Sequence, residues 1–165
     1  EYMGESHWNI SDLIYFLRQQ NNAQFLYRLN SMVQKLNHLD YIPPCESYTD
    51  FHQIETEEWL ELIRLIRARS SYDSVILDLG MAMGHETELL RQCDGIYVPV
   101  RQDMISRAKL AQWENAVQIL GGLDIVEKFQ KLEIPENSEI PESRDDLLML
   151  PQQSFGMYIR GLLKG

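Results

Sequence analysis

The stretch Tyr72-Asp73-Ser74-Val75-Ile76-Leu77-Asp78-Leu79-Gly80, answered by Asp94-Gly95-Ile96-Tyr97-Val98-Pro99-Val100, decides how this chain is read. Each piece is a short apolar run introduced by polar turn residues. The first run delivers a carboxylate to its own end and then a glycine. Continuous apolar runs of this length are how buried parallel strands read, and residues 83–92 between them have helical spacing. Together they predict a β-α-β unit.

Working outward, strands and helices continue to alternate. Ser11 is placed to cap a helix carrying Ile10, Leu13, Ile14 and Leu17, which breaks at Asn21-Asn22. A second helix is predicted with Phe25, Leu26, Leu29, Met32, Val33 and Leu36 on one side. Leu39-Asp40-Tyr41-Ile42 reads as a strand stopped by Pro43-Pro44, since proline supplies no ladder donor. Residues 56–70 form the clearest helix, with the stripe Trp59, Leu62, Ile63 and Ile66, acids early and arginines late. On the far side, a helix over about 103–120 ends at Gly121-Gly122. A strand over 128–134 is closed by Pro135, and an amphipathic helix over 154–164 uses Phe155, Tyr158, Ile159 and Leu162. This pattern predicts a three-layer α/β fold, a mostly parallel sheet with helices on both faces. Its expected organisation is a core over residues 1–134, an acidic loop or linker over 135–153, and a C-terminal helix over 154–165 packed on that core.

A chain of 165 residues has room for one domain with a real core. Its net charge of −10 leaves no basic surface for nucleic acid or anionic lipid. Much of that charge is local: Glu133, Glu136, Glu139, Glu142, Asp145 and Asp146 face only Arg144 within residues 133–146, which reads as a solvated segment. Cys45 and Cys93 lack metal or redox spacing and read as free buried thiols of a cytoplasmic protein. No apolar run has the length of a membrane span, and no signal peptide is visible. The chain begins at Glu1 without an initiator methionine, so a fragment of a longer parent is expected.

Asp78 is the leading candidate for chemistry. A lone acid ending an apolar strand is what a nucleotide-hydrolysing site uses to hold magnesium, directly or through water. The plainer role is a cap on the following turn. Gly80 and Gly84 would let the backbone pass close to a ligand, or simply mark turns. Asp103 and Ser106 begin the helix after Val100, and either would serve as its cap. His7, His38, His52 and His85 show no metal-ligand spacing, and no serine lies in a G-x-S-x-G setting. Trp8 and Tyr48 are read as loop residues, available for contacts or for a small cluster beneath the loop.

These segments resemble the deviant-Walker P-loop ATPases of the MinD/ParA group, and most of all its CpaE-like branch. The likeness runs from about Glu1 to Gly122 and is most specific over residues 72–107. Val75 to Gly80 is similar to that group's Walker B strand, Cys93 to Asp103 to its next strand and loop, and Ser106 to the serine that commonly follows. The resemblance implies an incomplete P-loop NTPase-like domain of SIMIBI type. In an intact parent it implies Mg-ATP hydrolysis coupled to homodimerisation and to a protein partner. Asp78 would organise magnesium and its water, Gly80 would belong to a switch-like turn, and Asp103 and Ser106 would lie near the nucleotide or dimer face. The departure is that Lys35, Lys109, Lys128, Lys131 and Lys164 all lie outside a G-x-x-x-x-G-K-[ST] context. Glu1-Tyr2 looks like the end of the family's second strand, so the chain is expected to start after the phosphate loop. Neither ATP nor magnesium is then expected to bind this chain alone. Two other readings use the same residues: a non-catalytic interaction domain on a degenerate ATPase fold, and a receiver-like domain phosphorylated on Asp78. The receiver lacks its acid pair and its strand-terminal lysine.

Overall fold

The computed structural model describes residues 8–19, 24–37, 39–79, 86–134 and 143–163. It is a mixed α/β chain with, among the described residues, one antiparallel and one parallel two-stranded sheet. Contacts gather into two compact units, Glu1–Leu89 and Leu90–Gly165. No helix among the described residues is long and apolar enough to cross a membrane.

In the first unit, α1 (Ile10–Arg18) starts at Asn9, whose side chain accepts from the Ser11 amide at 2.8 Å while Asp12 accepts from the Asn9 amide at 3.0 Å. The cap is therefore Asn9 rather than Ser11, because the reciprocal bond needs an acid three residues on. Ser11 instead donates its hydroxyl to Cys45 Sγ at 2.9 Å. Helix α2 (Phe25–Met32) stops before Leu36, and Gln34–Leu36 becomes strand β1, paired antiparallel with β2 (Leu39–Tyr41). Asn37 turns the hairpin at φ 56°, a conformation asparagine tolerates better than most residues. The predicted extension of that helix through Leu36 is corrected: Val33 caps the helix, its amide donating to the Leu29 carbonyl at 3.0 Å, and Leu36 joins the hairpin opposite Leu39. A short α3 (Tyr48–His52) precedes α4 (Thr56–Arg69). Leu13, Ile14, Leu29, Met32 and Leu65 are fully buried where α1, α2 and α4 meet. Each such side chain contributes about 1.5–3 kcal/mol relative to exposure.

The predicted strand at residues 74–77 has no ladder. Residues 74–79 run on from α4 outside any sheet of the described residues. A strand forms only where a neighbour completes its N–H and C=O bonds, and in this unit the only described pair is β1–β2. Leu77 and Leu79 pack on Ile63 and Leu89, while Ile76 remains 81% exposed. Tyr72 donates its hydroxyl to Asp40 Oδ2 at 2.7 Å. Burial, with that carboxylate, pushes its ionisation up to about 12.

Helix α5 (Glu86–Gln92) leads into the second unit. The parallel β-α-β unit found there is not the one predicted from residues 72–100: it is built on the second of those strands and on the further strand expected at 128–134. Strand β3 (Ile96–Arg101) pairs parallel with β4 (Phe129–Ile134), with Ile96 opposite Phe129 and Arg101 opposite Ile134. Helix α6 (Met104–Ile119) and the short α7 (Leu123–Val126) form the crossover. Ile96, Val100, Leu110, Val117 and Ile125 are its buried side chains, and Trp113 stacks on Phe129 at 4.8 Å between ring centroids. Gly121, at φ 81°, ends α6 as predicted. Of the stretch read as an acidic loop, residues 135–142 lie outside the described residues, but Arg144–Met149 is helix α8. Its capping box joins Ser143 to Asp146, so two of the acids start a helix. The chain closes with α9 (Ser154–Leu163).

Candidate functional site

Parallel strands bring their carboxyl ends to one edge, where α/β proteins bind ligands. At that edge of β3–β4 lies a hollow of about 240 Å³. Val100, Leu110 and Ala111 give it an apolar lining, and Arg101, Arg107, Lys131, Glu114 and Glu133 a polar one. The elements explain the grouping. Val100 and Arg101 end β3, Glu133 stands opposite Val100 in the parallel register, and Arg107 to Glu114 belong to the first turns of α6. Lys131 Nζ lies 3.1 Å from Glu114 Oε1, and Gln102 Nε2 donates to Glu133 Oε2 at 3.0 Å. Three cations against two acids leave the rim positive, with both arginines exposed to solvent. Arginines on such a rim can hold an anion through bidentate hydrogen bonds.

Asp103 and Ser106 are brought together at the start of α6. Ser106 donates its amide to Asp103 Oδ1 at 2.8 Å and its hydroxyl to Oδ2 at 2.7 Å. The Ser106 hydroxyl, then its amide, hold the Asp103 carboxyl below the usual carboxylate range. This is the helix-cap role foreseen as the plainer reading of both residues.

Asp78 belongs to the first unit and is exposed. Gly80 and Gly84 lie outside the described residues, as do His7, His38 and His85. Among the described residues no three His, Cys, Asp or Glu side chains are grouped to hold a metal ion. One carboxylate supplies one of the six oxygens magnesium demands, so Asp78 alone does not make a magnesium site. Cys45 and Cys93 form no disulfide and are half-buried, and burial pushes the Cys93 thiol up.

No family model, curated protein or solved structure matches this chain. The functional reading rests on its residues and their placement.

Sequence pattern alone does not single out Arg101, Arg107 and Lys131. Two arginines flanking Asp103 at positions 101 and 107 were the available signal. Lys131 and Glu133 reach the same edge only through the parallel register, which pairs residues more than thirty positions apart.

Proposed function

We propose that this chain is the carboxy-terminal majority of a MinD/ParA-like nucleotide switch of the CpaE-like branch, working as a dimer in the cytoplasm with a protein partner. In the intact parent the sheet is three-layered and mostly parallel. Mg-ATP binds there, with Asp78 as the carboxylate that positions magnesium's water. The observation that carries this reading is the parallel β3–α6–β4 unit with a positive hollow at its carboxyl edge. Its strand, Asp103 cap and Ser106 follow one another in the order that the resemblance calls for. These 165 residues contain no G-x-x-x-x-G-K-[ST] loop, and without that backbone cradle a carboxylate repels a triphosphate.

Calorimetry with Mg-ATP tests this. The 165-residue chain is expected to show no low-micromolar binding. A parent polypeptide carrying a phosphate loop is expected to bind, and to lose hydrolysis by on the order of tenfold or more with Asp78→Asn, as when a preorganised polar contact is removed. Low-micromolar binding by the chain alone overturns the proposal, as does full hydrolysis by the Asp78→Asn parent.

One observation favours a second reading, an interaction domain without catalysis. Met104, Ile105 and Ile119 on α6, with Leu120 and Leu123 after it, are exposed large apolar side chains. They lie at the two ends of α6, roughly 20 Å apart at 1.5 Å per residue, and so offer two separate apolar contacts for a partner. A parent that binds its partner but no Mg-ATP would select this reading.

A further inference from the structure

We infer that the hollow at the carboxyl edge of β3–β4 is a binding site for a small monocarboxylate with a short apolar body, held by Arg101 and Arg107. This inference stands on the second unit alone. It concerns these 165 residues as they are and depends on neither a phosphate loop nor Mg-ATP.

Three observations carry it. First, the cations converge from separate elements. Arg107, Leu110, Ala111 and Glu114 recur at helical spacing and share one face of α6, while Arg101 ends β3 and Lys131 lies on β4. Second, the acids of the hollow are engaged and the two arginines are not. Glu114 pairs with Lys131 at 3.1 Å, and Glu133 accepts from Gln102 at 3.0 Å. Neither arginine makes an ion pair or a side-chain hydrogen bond among the described residues. A planar guanidinium with no protein carboxylate on it can take one from solution through paired N–H donors. Third, size and charge select the ligand. Val100 and Leu110 are buried side chains that line the hollow beside Ala111, so an apolar stem gains by leaving water there. The volume of about 240 Å³ lies below the roughly 300–1,000 Å³ of sites that enclose a drug-sized ligand, so the stem is short. The three cations exceed the two acids by one charge, which a single carboxylate balances and a phosphate dianion overshoots. The net charge of −10 repels an anion in proportion to its charge, which sharpens the same preference.

Isovalerate, a carboxylate on a short branched hydrocarbon stem, is the probe. Titrated into the 165-residue chain and followed by two-dimensional amide NMR, it is expected to saturate with a dissociation constant on the order of 1 mM, the strength that so few atoms allow. The shifts are expected to centre on residues 100–114 and 131–133. Acetate, which lacks the stem, and isovaleramide, which lacks the charge, are each expected to bind about fivefold more weakly or worse. Arg101 and Arg107 are exposed, so Arg101→Gln and Arg107→Gln are expected to keep the amide spectrum. Each is expected to weaken isovalerate by about fivefold or more. Lys109→Gln removes a cation from α6 outside the hollow and is expected to leave the affinity within about twofold. A titration that never saturates overturns the inference, as does acetate or isovaleramide binding as well as isovalerate. So does methyl phosphate binding more tightly, or a loss from Lys109→Gln equal to that from Arg107→Gln.

Discussion

Glu58 shows how much one side chain does in the first unit. It accepts two bonds from Arg18, at 2.6 Å and 2.9 Å, and a third from the Glu55 amide at 2.9 Å. The same arginine donates to the Gln53 carbonyl at 3.0 Å, tying the end of α1 to the start of α4. Bonding to Arg18, ahead of the Glu55 amide, holds the Glu58 carboxyl below its ordinary value. The sign follows from that direction. The stabilisation is whole above the unfolded glutamate's titration and is lost as pH falls through the lower folded value. Glu58→Gln is expected to remove about 1 kcal/mol near neutral pH, the upper end for a bidentate exposed pair, and to flatten the acid limb of the stability profile. Urea unfolding of both proteins across acid pH checks it. An unchanged acid limb would show that the pair contributes nothing.

Among the elements, α6 has the clearest stop. The Gly121 amide donates to Gln118 O at 3.0 Å and the Gly122 amide to Val117 O at 2.9 Å. The second bond requires the left-handed backbone at Gly121, and a Cβ on Gly122 would meet Val117 Cγ1 at 2.6 Å. Gly121→Ala is expected to cost about 1 kcal/mol of stability through its left-handed backbone, and Gly122→Ala, at φ −95°, about 1–3 kcal/mol through crowding alone. No loss from Gly122→Ala in chemical unfolding would contradict the crowding. Helices α4 and α6, strands β3 and β4, and the Asp103–Ser106 cap were legible in the sequence because their signals are local: apolar period, turn glycines, a capping acid. What was not legible depends on distant partners. Residues 74–77 have the composition of a buried strand, but pairing is decided by which strand lies alongside. The rim of the hollow was hidden for the same reason, as Lys131 and Glu133 join Arg101 and Arg107 only through the β3–β4 register. Helix α8 is masked in the sequence although Ser143 and Asp146 have capping-box spacing, because the surrounding acids have the composition of solvated charge.

For the whole molecule, net charge sets how copies meet. Each chain carries −10, so two copies repel before any contact forms. A dimer held by exposed apolar side chains such as Met104 and Ile105 places no opposite charges across the contact, and nothing in it gains from low salt. Raising ionic strength shortens the reach of the repulsion, to about 8 Å at physiological salt and about 3 Å at 1 M. The hydrophobic term of the contact is left intact. Association is therefore expected to strengthen as salt rises. Sedimentation at several sodium chloride concentrations gives the slope. An association that weakens with salt would mean that ion pairs hold the copies together.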